Sequence, residues 1–512
     1  MLVKIPAAAP YGIYAYPVTV EVNLSTGLGY AIVGLPDNAV KESRERVETA
    51  IRNSGLSFPR GKIIINLSPA DLRKEGTAYD LPIAIGILAA SGQVERDNFD
   101  ECLIMGELSL DGTLMAIRGA LPIAILARKN QSRMVIIPPS NAQEAGIVKD
   151  ISVYAPKNLK EAVDFLSGRK PLQPIFVDAR ALFQEASESY PVDMREVKGQ
   201  LHLKRALEVA AAGAHNLLMI GPPGAGKTMI AQRLPTILPP LSLEEALETS
   251  RIYSVAGLLK EDTGLLTRRP FRAPHHTISD VALVGGGNYP LPGEISLAHN
   301  GVLFLDELPE FKRQVLEVLR QPLEEGKITI ARARFRMEYP ARFMLVAAMN
   351  PCPCGYYTHP TRPCTCAPGA VQRYTARISG PLLDRIDIHI AVTPVETAAL
   401  GQEGSGEDSA AIRARVRKAR EIQRYRFGTM PNVHTNSQMP PRLIEEMCRL
   451  DEPSRRLLEN AANRLQLSAR AYHRILRVAR TIADLEESET IKPHHVAEAV
   501  TYRTLDRATW GT

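Results

Sequence analysis

The chain has 512 residues, 45% of them hydrophobic and 23% charged, with a formal net charge of +6. That is the composition of a soluble globular protein long enough for about three domains, and so small a basic excess permits contact with nucleic acid without arguing for it. The charge-free run LPIAIGILAASGQV (81–94) is too short to span a bilayer and the N-terminus lacks a signal-peptide pattern, so a cytoplasmic protein with reduced thiols and no membrane partner is expected. Residues 1–165 alternate strand and helix signals. Val18, Val20, Val22 and Leu24 have the period of a half-buried strand, and Asp37 is placed to cap a helix that should stop near Gly55. KIIINL (62–67) predicts a buried strand and DLPIAIGILAASG (80–92) a buried helix. Scattered prolines and little pattern make 168–192 a linker. Residues 193–395 return to alternating strand and helix, AALGQEGSGEDSA (398–410) is a Gly/Ser/acid-rich connection, and the remainder is almost wholly helical.

The strongest motif is LLMIGPPGAGKT (217–228), in which an apolar strand runs into a glycine-rich loop and then a helix. The order fits a phosphate-binding loop, Gly221-Pro222-Pro223-Gly224-Ala225-Gly226-Lys227-Thr228, whose backbone N–H groups wrap the phosphates of ATP. Lys227 should reach the β- and γ-phosphates and the Thr228 hydroxyl should ligate Mg²⁺. A second apolar strand, GVLFLDE (301–307), ends in two acids: Asp306 suits the Mg²⁺ shell, and Glu307 a general base that polarises water. A third, FMLVAAMN (343–350), ends in Asn350, which can orient that water. Functional residues at the carboxyl ends of buried strands follow the rule for sites in open α/β sheets.

These motifs, with VKGQ (197–200), resemble the AAA+ ATPases. LPGEISLAHNGVLFLDELPEF (291–311) and SARAYHRILRVARTIADLE (468–486) resemble the magnesium-chelatase-like group, and within it the bacterial YifB/ComM proteins. The likeness covers nearly the whole chain. It implies an α/β fold, with a P-loop AAA+ core at 193–395 interrupted by a Cys-rich insertion (352–366), a connecting basic helix at 396–435 and a helical lid at 436–512. It also implies an arginine finger at Arg385, with Arg377 as a nearby competitor, and a second sensor at Arg470. A finger that acts on a neighbour's ATP implies a ring, by analogy a hexamer.

Before the linker, 166–192, the segments RKEGTAYDLPIAIGILAASG (73–92), MGELSLDGTLMAIRGALPIAILAR (105–128) and VIIPPSN (135–141) resemble the proteolytic domain of Lon, an α+β fold of the ribosomal S5 domain 2 type. Ala78 stands where the resemblance places the serine nucleophile, and GALPIAILAR (119–128) contains no lysine. A methyl group cannot attack a carbonyl, so 1–165 is expected to keep the fold without the peptidase and to serve ring assembly or partner binding.

Two segments point to DNA, single-stranded or branched. EEGKITIARARFRMEYPARF (324–343) predicts a hairpin with its tip near Arg332 and Arg334, and in related ring helicases such a hairpin projects into the pore and holds the DNA backbone. IRARVRKAREIQRYRF (412–427) has seven basic residues and one acid, which also fits a solvated helix face. NPCPCGYYTHPTRPCTC (350–366) offers Cys352, Cys354, Cys364 and Cys366 for a tetrahedral Zn²⁺, with His359 able to replace one of them; free thiols or disulfides are the alternatives. Cys102 and Cys448 are single, and the pairs His275-His276 and His494-His495 lack further ligands at metal spacing. The resemblance implies an ATP-driven ring helicase that moves branched DNA during uptake and recombination. The rival is a magnesium-chelatase-type subunit that remodels a partner enzyme.

Overall fold

The computed structural model describes residues 1–95, 99–186, 190–260, 263–287, 290–332, 335–357, 359, 361–394, 406–428, 430 and 433–503. The first domain is built on a four-stranded sheet of β1 (Leu2–Tyr11), β2 (Tyr14–Ser25), β3 (Gly29–Val33) and β4 (Lys62–Ser68), in the order β1-β2-β4-β3. Only β3 and β4 run parallel. Between them lie α1 (Asn38–Lys41), capped by the Asp37 carboxylate on Val40 N, and α2 (Ser43–Asn53), which ends just before Gly55. β4 is buried on one face only: Ile63, Ile65 and Leu67 are enclosed, while the side chain of Asn66 donates to Glu21. The expectation of a wholly buried strand is therefore corrected, because β4 sits in a mostly antiparallel sheet with a solvated face. Helix α3 (Asp80–Ala90) is buried at every position beneath β1 and β2. A parallel sheet of β5 (Cys102–Ile104), β6 (Met134–Ile136) and β7 (Ser152–Tyr154) and helix α4 (Ala120–Lys129) complete the domain.

Where the sequence suggests a patternless linker, residues Ala179–Ala186 form α5. Leu182 and Phe183 pack against a small core of Ile147, Leu241, Ala246 and Leu265, so the connection is strapped to both of the domains it joins. After it come α6 (Leu201–Gly213) and a five-stranded, wholly parallel sheet. Its strands are β8 (Leu217–Ile220), β9 (Phe271–Arg272), β10 (Val302–Leu305), β13 (Met344–Met349) and β14 (Ile388–Ala391), in the order β9-β10-β13-β8-β14. The hairpin β11 (Lys327–Arg332) and β12 (Phe335–Pro340) leads straight into β13. β10 and β13 are enclosed at every residue, as expected of parallel strands covered on both faces.

Helix α7 (Lys227–Ile237) follows β8, and α8 (Leu243–Ala256) opens with a Ser242–Glu245 capping box. The C-terminal helices include α11 (Ser409–Phe427) and α12 (Ala469–Leu485). Ile475, Leu476 and Val478 of α12 share one core with Phe304 of β10 and Val346 of β13. Besides the core around Ile147, two further contacts join the first domain to the ATPase core. Gly119 N and Leu121 N, at the start of α4, donate to Ser254 O (3.0 Å) and Ser254 Oγ (3.3 Å) of α8. The β1–β2 turn buries Ile13 in the core that lies under the hairpin, and Tyr11 Oη donates to Arg336 O of β12 at 3.1 Å. Among the described residues no helix is long and apolar enough to cross a membrane.

Candidate functional site

The loop 221–226 joins β8 to α7, and Gly226 caps that helix at φ 80°, a left-handed conformation costly for any residue with a Cβ. Three first-turn features face the loop. The helix N-terminus presents unbonded N–H groups. Lys227 is 8% exposed, and its Nζ donates to Gly221 O (2.7 Å), Pro222 O (2.9 Å) and Asn350 Oδ1 (3.1 Å). Burial lowers its pKa, against the pull of Asp306 and Glu307. The Thr228 hydroxyl donates to Asp306 Oδ2 at 2.5 Å. Glu307 N donates to Asp306 Oδ1 at 2.9 Å, and Glu307, whose carboxylate is half-exposed, adopts a left-handed φ of 53°. The structure thus gathers Lys227, Thr228, Asp306, Glu307 and Asn350 at the carboxyl ends of three neighbouring strands. An ammonium and helix N–H groups suit a polyphosphate, and a hydroxyl beside a carboxylate is a hard-oxygen pair suited to Mg²⁺.

One residue here escapes the sequence reading. His276 Nδ1 lies 3.3 Å from Glu307 Oε2, with the His275 ring against it, tilted by 34° at a 4.1 Å centroid distance. The same strand-end rule could have found it, because β9 is the parallel neighbour of β10 and the two histidines follow its carboxyl end. The expectation that His494-His495 lack a further ligand is corrected: Glu486, several residues earlier in the chain, brings its carboxylate to both rings, and the three ligand atoms lie within 4.8 Å of one another. His495 Nδ1 accepts from Lys492 N (2.9 Å), so Nε2 carries the proton and donates to Glu486 (3.0 Å).

The three arginines are placed differently. The Arg385 side chain is 11% exposed; it pairs with Glu324 of α9 (Arg320–Glu325) and donates to Pro381 O at 2.5 Å. Arg377 follows α10 (Ala370–Thr375), is 54% exposed, and bonds Glu310 Oε2 (2.9 Å) just beyond Glu307. Arg470 lies in the first turn of α12, exposed and without a hydrogen bond or ion pair among the described residues. One turn on, Arg474 donates to the buried Asp387 at 2.5 Å.

Cys352, Cys354, Cys364 and Cys366 place their four Sγ atoms within 4.8 Å of one another. Sulfur separations are 3.3 Å (352–354), 3.7 Å (352–364) and 3.5 Å (354–364). Four ligands about 2.3 Å from a tetrahedral Zn²⁺ stand about 3.8 Å apart, so the set fits that ion closely. Tyr357 N donates to Cys352 Sγ at 3.3 Å. His359 Nδ1 accepts instead from Thr361 N (3.2 Å) and Arg362 N (3.1 Å).

For the DNA candidates, Arg332 closes β11, and Arg334 lies outside the described residues, as does 398–405 of the Gly/Ser-rich connection. The basic helix α11 divides its charge, with Arg413, Arg415, Arg420 and Arg426 half-buried against the protein and Arg417, Lys418 and Arg424 exposed. Arg415 pairs with Glu208 and Glu407, Arg426 with Asp484, Lys418 with Glu487, and Arg413 and Arg420 donate to the carbonyls of Thr236 and Ala211. A solvated face remains, as expected, along Ala414, Arg417, Lys418, Glu421 and Arg424, all of which are exposed. In the first domain Ala78 is part-buried, with its carbonyl accepting from Gly106 N at 2.9 Å.

Comparison with known proteins agrees with this architecture. Residues 193–400 match the family described as magnesium chelatase, subunit ChlI; residues 20–141 match subunit ChlI of Mg-chelatase, and 406–503 its C-terminal part. The chain is 47% identical over 507 residues to competence protein ComM of Haemophilus influenzae, covering 98% of this chain and 97% of that protein. It is 47% identical over 504 residues to YifB of Salmonella typhimurium, covering 98% and 96%. Lon protease 2 of Bacillus subtilis is 30% identical over 136 residues, 26% of this chain and 24% of that protease. A P-loop core with a parallel sheet and helical lid, preceded by a Lon-like α+β domain and matched end to end by these relatives, makes the chain a member of the magnesium-chelatase-like AAA+ family, in its YifB/ComM group.

Proposed function

We propose that the protein is a cytoplasmic, ATP-driven motor that assembles into a ring, hexameric by analogy, and acts on single-stranded or branched DNA as a helicase promoting branch migration. The observation that carries this reading is the convergence of Lys227, Thr228, Asp306, Glu307 and Asn350 on one loop, with the β11–β12 hairpin running directly into the strand that ends in Asn350. Gly221 to Thr228 hold the phosphates, and Thr228 and Asp306 hold Mg²⁺, which neutralises charge on the transferred phosphoryl group. Glu307 takes a proton from the attacking water, and Asn350 orients that water. Arg385 or Arg377 serves as the finger in a neighbouring subunit, and Arg470 senses nucleotide from the lid. Arg332 and Arg334 hold the DNA backbone, and the clustered cysteines hold Zn²⁺. The competence role named for the Haemophilus influenzae relative fits a motor that processes incoming DNA. The chelatase descriptions of the matching families favour the second reading, an ATPase subunit that remodels a partner enzyme.

DNA-stimulated hydrolysis and fork unwinding separate the two readings. Arg332→Ala/Arg334→Ala should weaken all DNA sequences alike, because phosphate contacts carry no sequence information. Each lost contact should flatten the dependence of log affinity on log salt by roughly 0.7 to 0.9. A wild type whose hydrolysis ignores DNA, and a double variant with unchanged affinity and salt slope, would turn the assignment to the chelatase reading.

A further inference from the structure

Three contacts reach the phosphate loop from a single short segment. Met349 O accepts from Gly221 N at 3.2 Å, Asn350 Oδ1 accepts from Lys227 Nζ at 3.1 Å, and Gly355 lies against the Pro223 ring. The last contact is close: a Cβ at Gly355 would stand 2.6 Å from Pro223 Cδ and 3.2 Å from its Cγ, and Gly355 holds φ +85°. Only glycine meets both conditions without displacing the loop. Two of the four clustered cysteines, Cys352 and Cys354, lie inside this segment, and Gly355 N closes a tight turn on Cys352 O at 3.0 Å. The other two, Cys364 and Cys366, return just before α10, whose Tyr374 hydroxyl interacts with the backbone of Asn350.

A cross-link among the four sulfurs would therefore fix the turn that abuts Pro223. Without one, the described residues between 351 and 368 make a long excursion with little regular structure, and local contacts alone would have to offset the entropy of ordering them. We propose that Cys352, Cys354, Cys364 and Cys366 bind one Zn²⁺ and that this ion holds the phosphate loop in its binding shape, so that nucleotide affinity depends on metal occupancy. The inference rests on the reading of 221–228 as the ATP site and adds a metal-linked control of it. Zinc loss by chelation would silence the motor at the binding step rather than at hydrolysis.

The test uses the full chain. Elemental analysis of wild type grown with ample zinc should find about one zinc per chain, with sulfur-only coordination by X-ray absorption. Binding of a fluorescent ATP analogue with Mg²⁺ is then measured for four samples: wild type, zinc-stripped wild type, Cys364→Ser/Cys366→Ser and Gly355→Ala. Stripping or removing the two cysteines should weaken nucleotide by on the order of tenfold or more. Gly355→Ala should keep its zinc, which shows that the knuckle is folded, and yet weaken nucleotide comparably, because only its approach to Pro223 is altered. Readdition of zinc should restore the stripped sample. Absence of zinc, or iron or a disulfide in its place, overturns the proposal. So does equal nucleotide affinity in wild type, stripped protein and Gly355→Ala. Wild type that binds no nucleotide would instead refute the ATP-site reading on which the inference stands.

Discussion

Asp387→Asn tests how the lid is joined to the sheet. Asp387 is 3% exposed and directly precedes β14. Its Oδ1 accepts from Arg474 at 2.5 Å, its Oδ2 accepts from Asn216 N at 3.1 Å, and His215 Nδ1 lies 3.6 Å away. Burial alone would raise the carboxyl pKa; Arg474 and His215 outweigh it and hold the group well below the usual carboxylate range. The substitution keeps size and an acceptor but leaves Arg474, 15% exposed, without its counter-charge. Removing one partner of a buried ion pair costs about 3 to 5 kcal/mol. The loss falls on the docking of α12, so the clean readout is hydrogen exchange of Ala469–Leu485. Protection there should drop by roughly two to three and a half orders of magnitude at neutral pH, since about 1.4 kcal/mol is a factor of ten. The sign with pH follows from the depressed pKa. The wild-type contribution is fully present above the unfolded carboxylate value of about 4 and fades as pH falls below it, so the two proteins should converge in acid. A change of less than about threefold at neutral pH would refute the latch, because the pair would then be worth no more than an exposed one.

The remaining expectations concern the nucleotide site and the first domain. Lys227→Ala should weaken both ATP binding and turnover, whereas Glu307→Gln should bind ATP and leave it uncleaved; equal loss of binding in both variants would count against the roles assigned. Arg385→Ala and Arg377→Ala should each be mixed with Glu307→Gln protein. The true finger variant should regain hydrolysis in mixed rings, by pairing intact Glu307 with intact arginine, and the other should not. Arg470→Ala should slow hydrolysis without altering exchange of α12, since its exposed side chain makes no hydrogen bond or ion pair among the described residues. Purified protein should not degrade casein with or without ATP, and any ATP-stimulated cleavage would overturn the reading of Ala78.

The chemistry was more legible in the sequence than the packing. A phosphate loop is local: strand, glycine turn and helix follow one another within twelve residues, and the acids of Asp306-Glu307 and the amide of Asn350 end strands whose apolar runs announce burial. Partnership across the fold is not local. Arg385 looks free in its own segment, and only the tertiary structure brings Glu324 to it. Helix α11 looks like a basic surface because periodicity cannot tell a charge facing water from one facing Glu208 or Asp484. His276 was visible as half of a pair, but a strand of two residues gave too weak a pattern to place it beside Glu307. Helix α5 was hidden by the prolines around it, since its apolar residues make sense only against Ile147, Leu241 and Leu265.

The seating of the β1–β2 turn bears on how such a motor can be taken apart. Ile13 is 3% exposed because it plugs the core beneath the hairpin, and Tyr11 is tied to the backbone of β12. Cutting the chain after the first domain would open that socket to water, and the apolar lining would then favour aggregation over a working enzyme. Loss of activity in a truncated chain would therefore say little about what the first domain recognises. The same plug gears two tiers of the molecule together. Any displacement of the hairpin would therefore pull on the β1–β2 corner, and through it on the Lon-like domain.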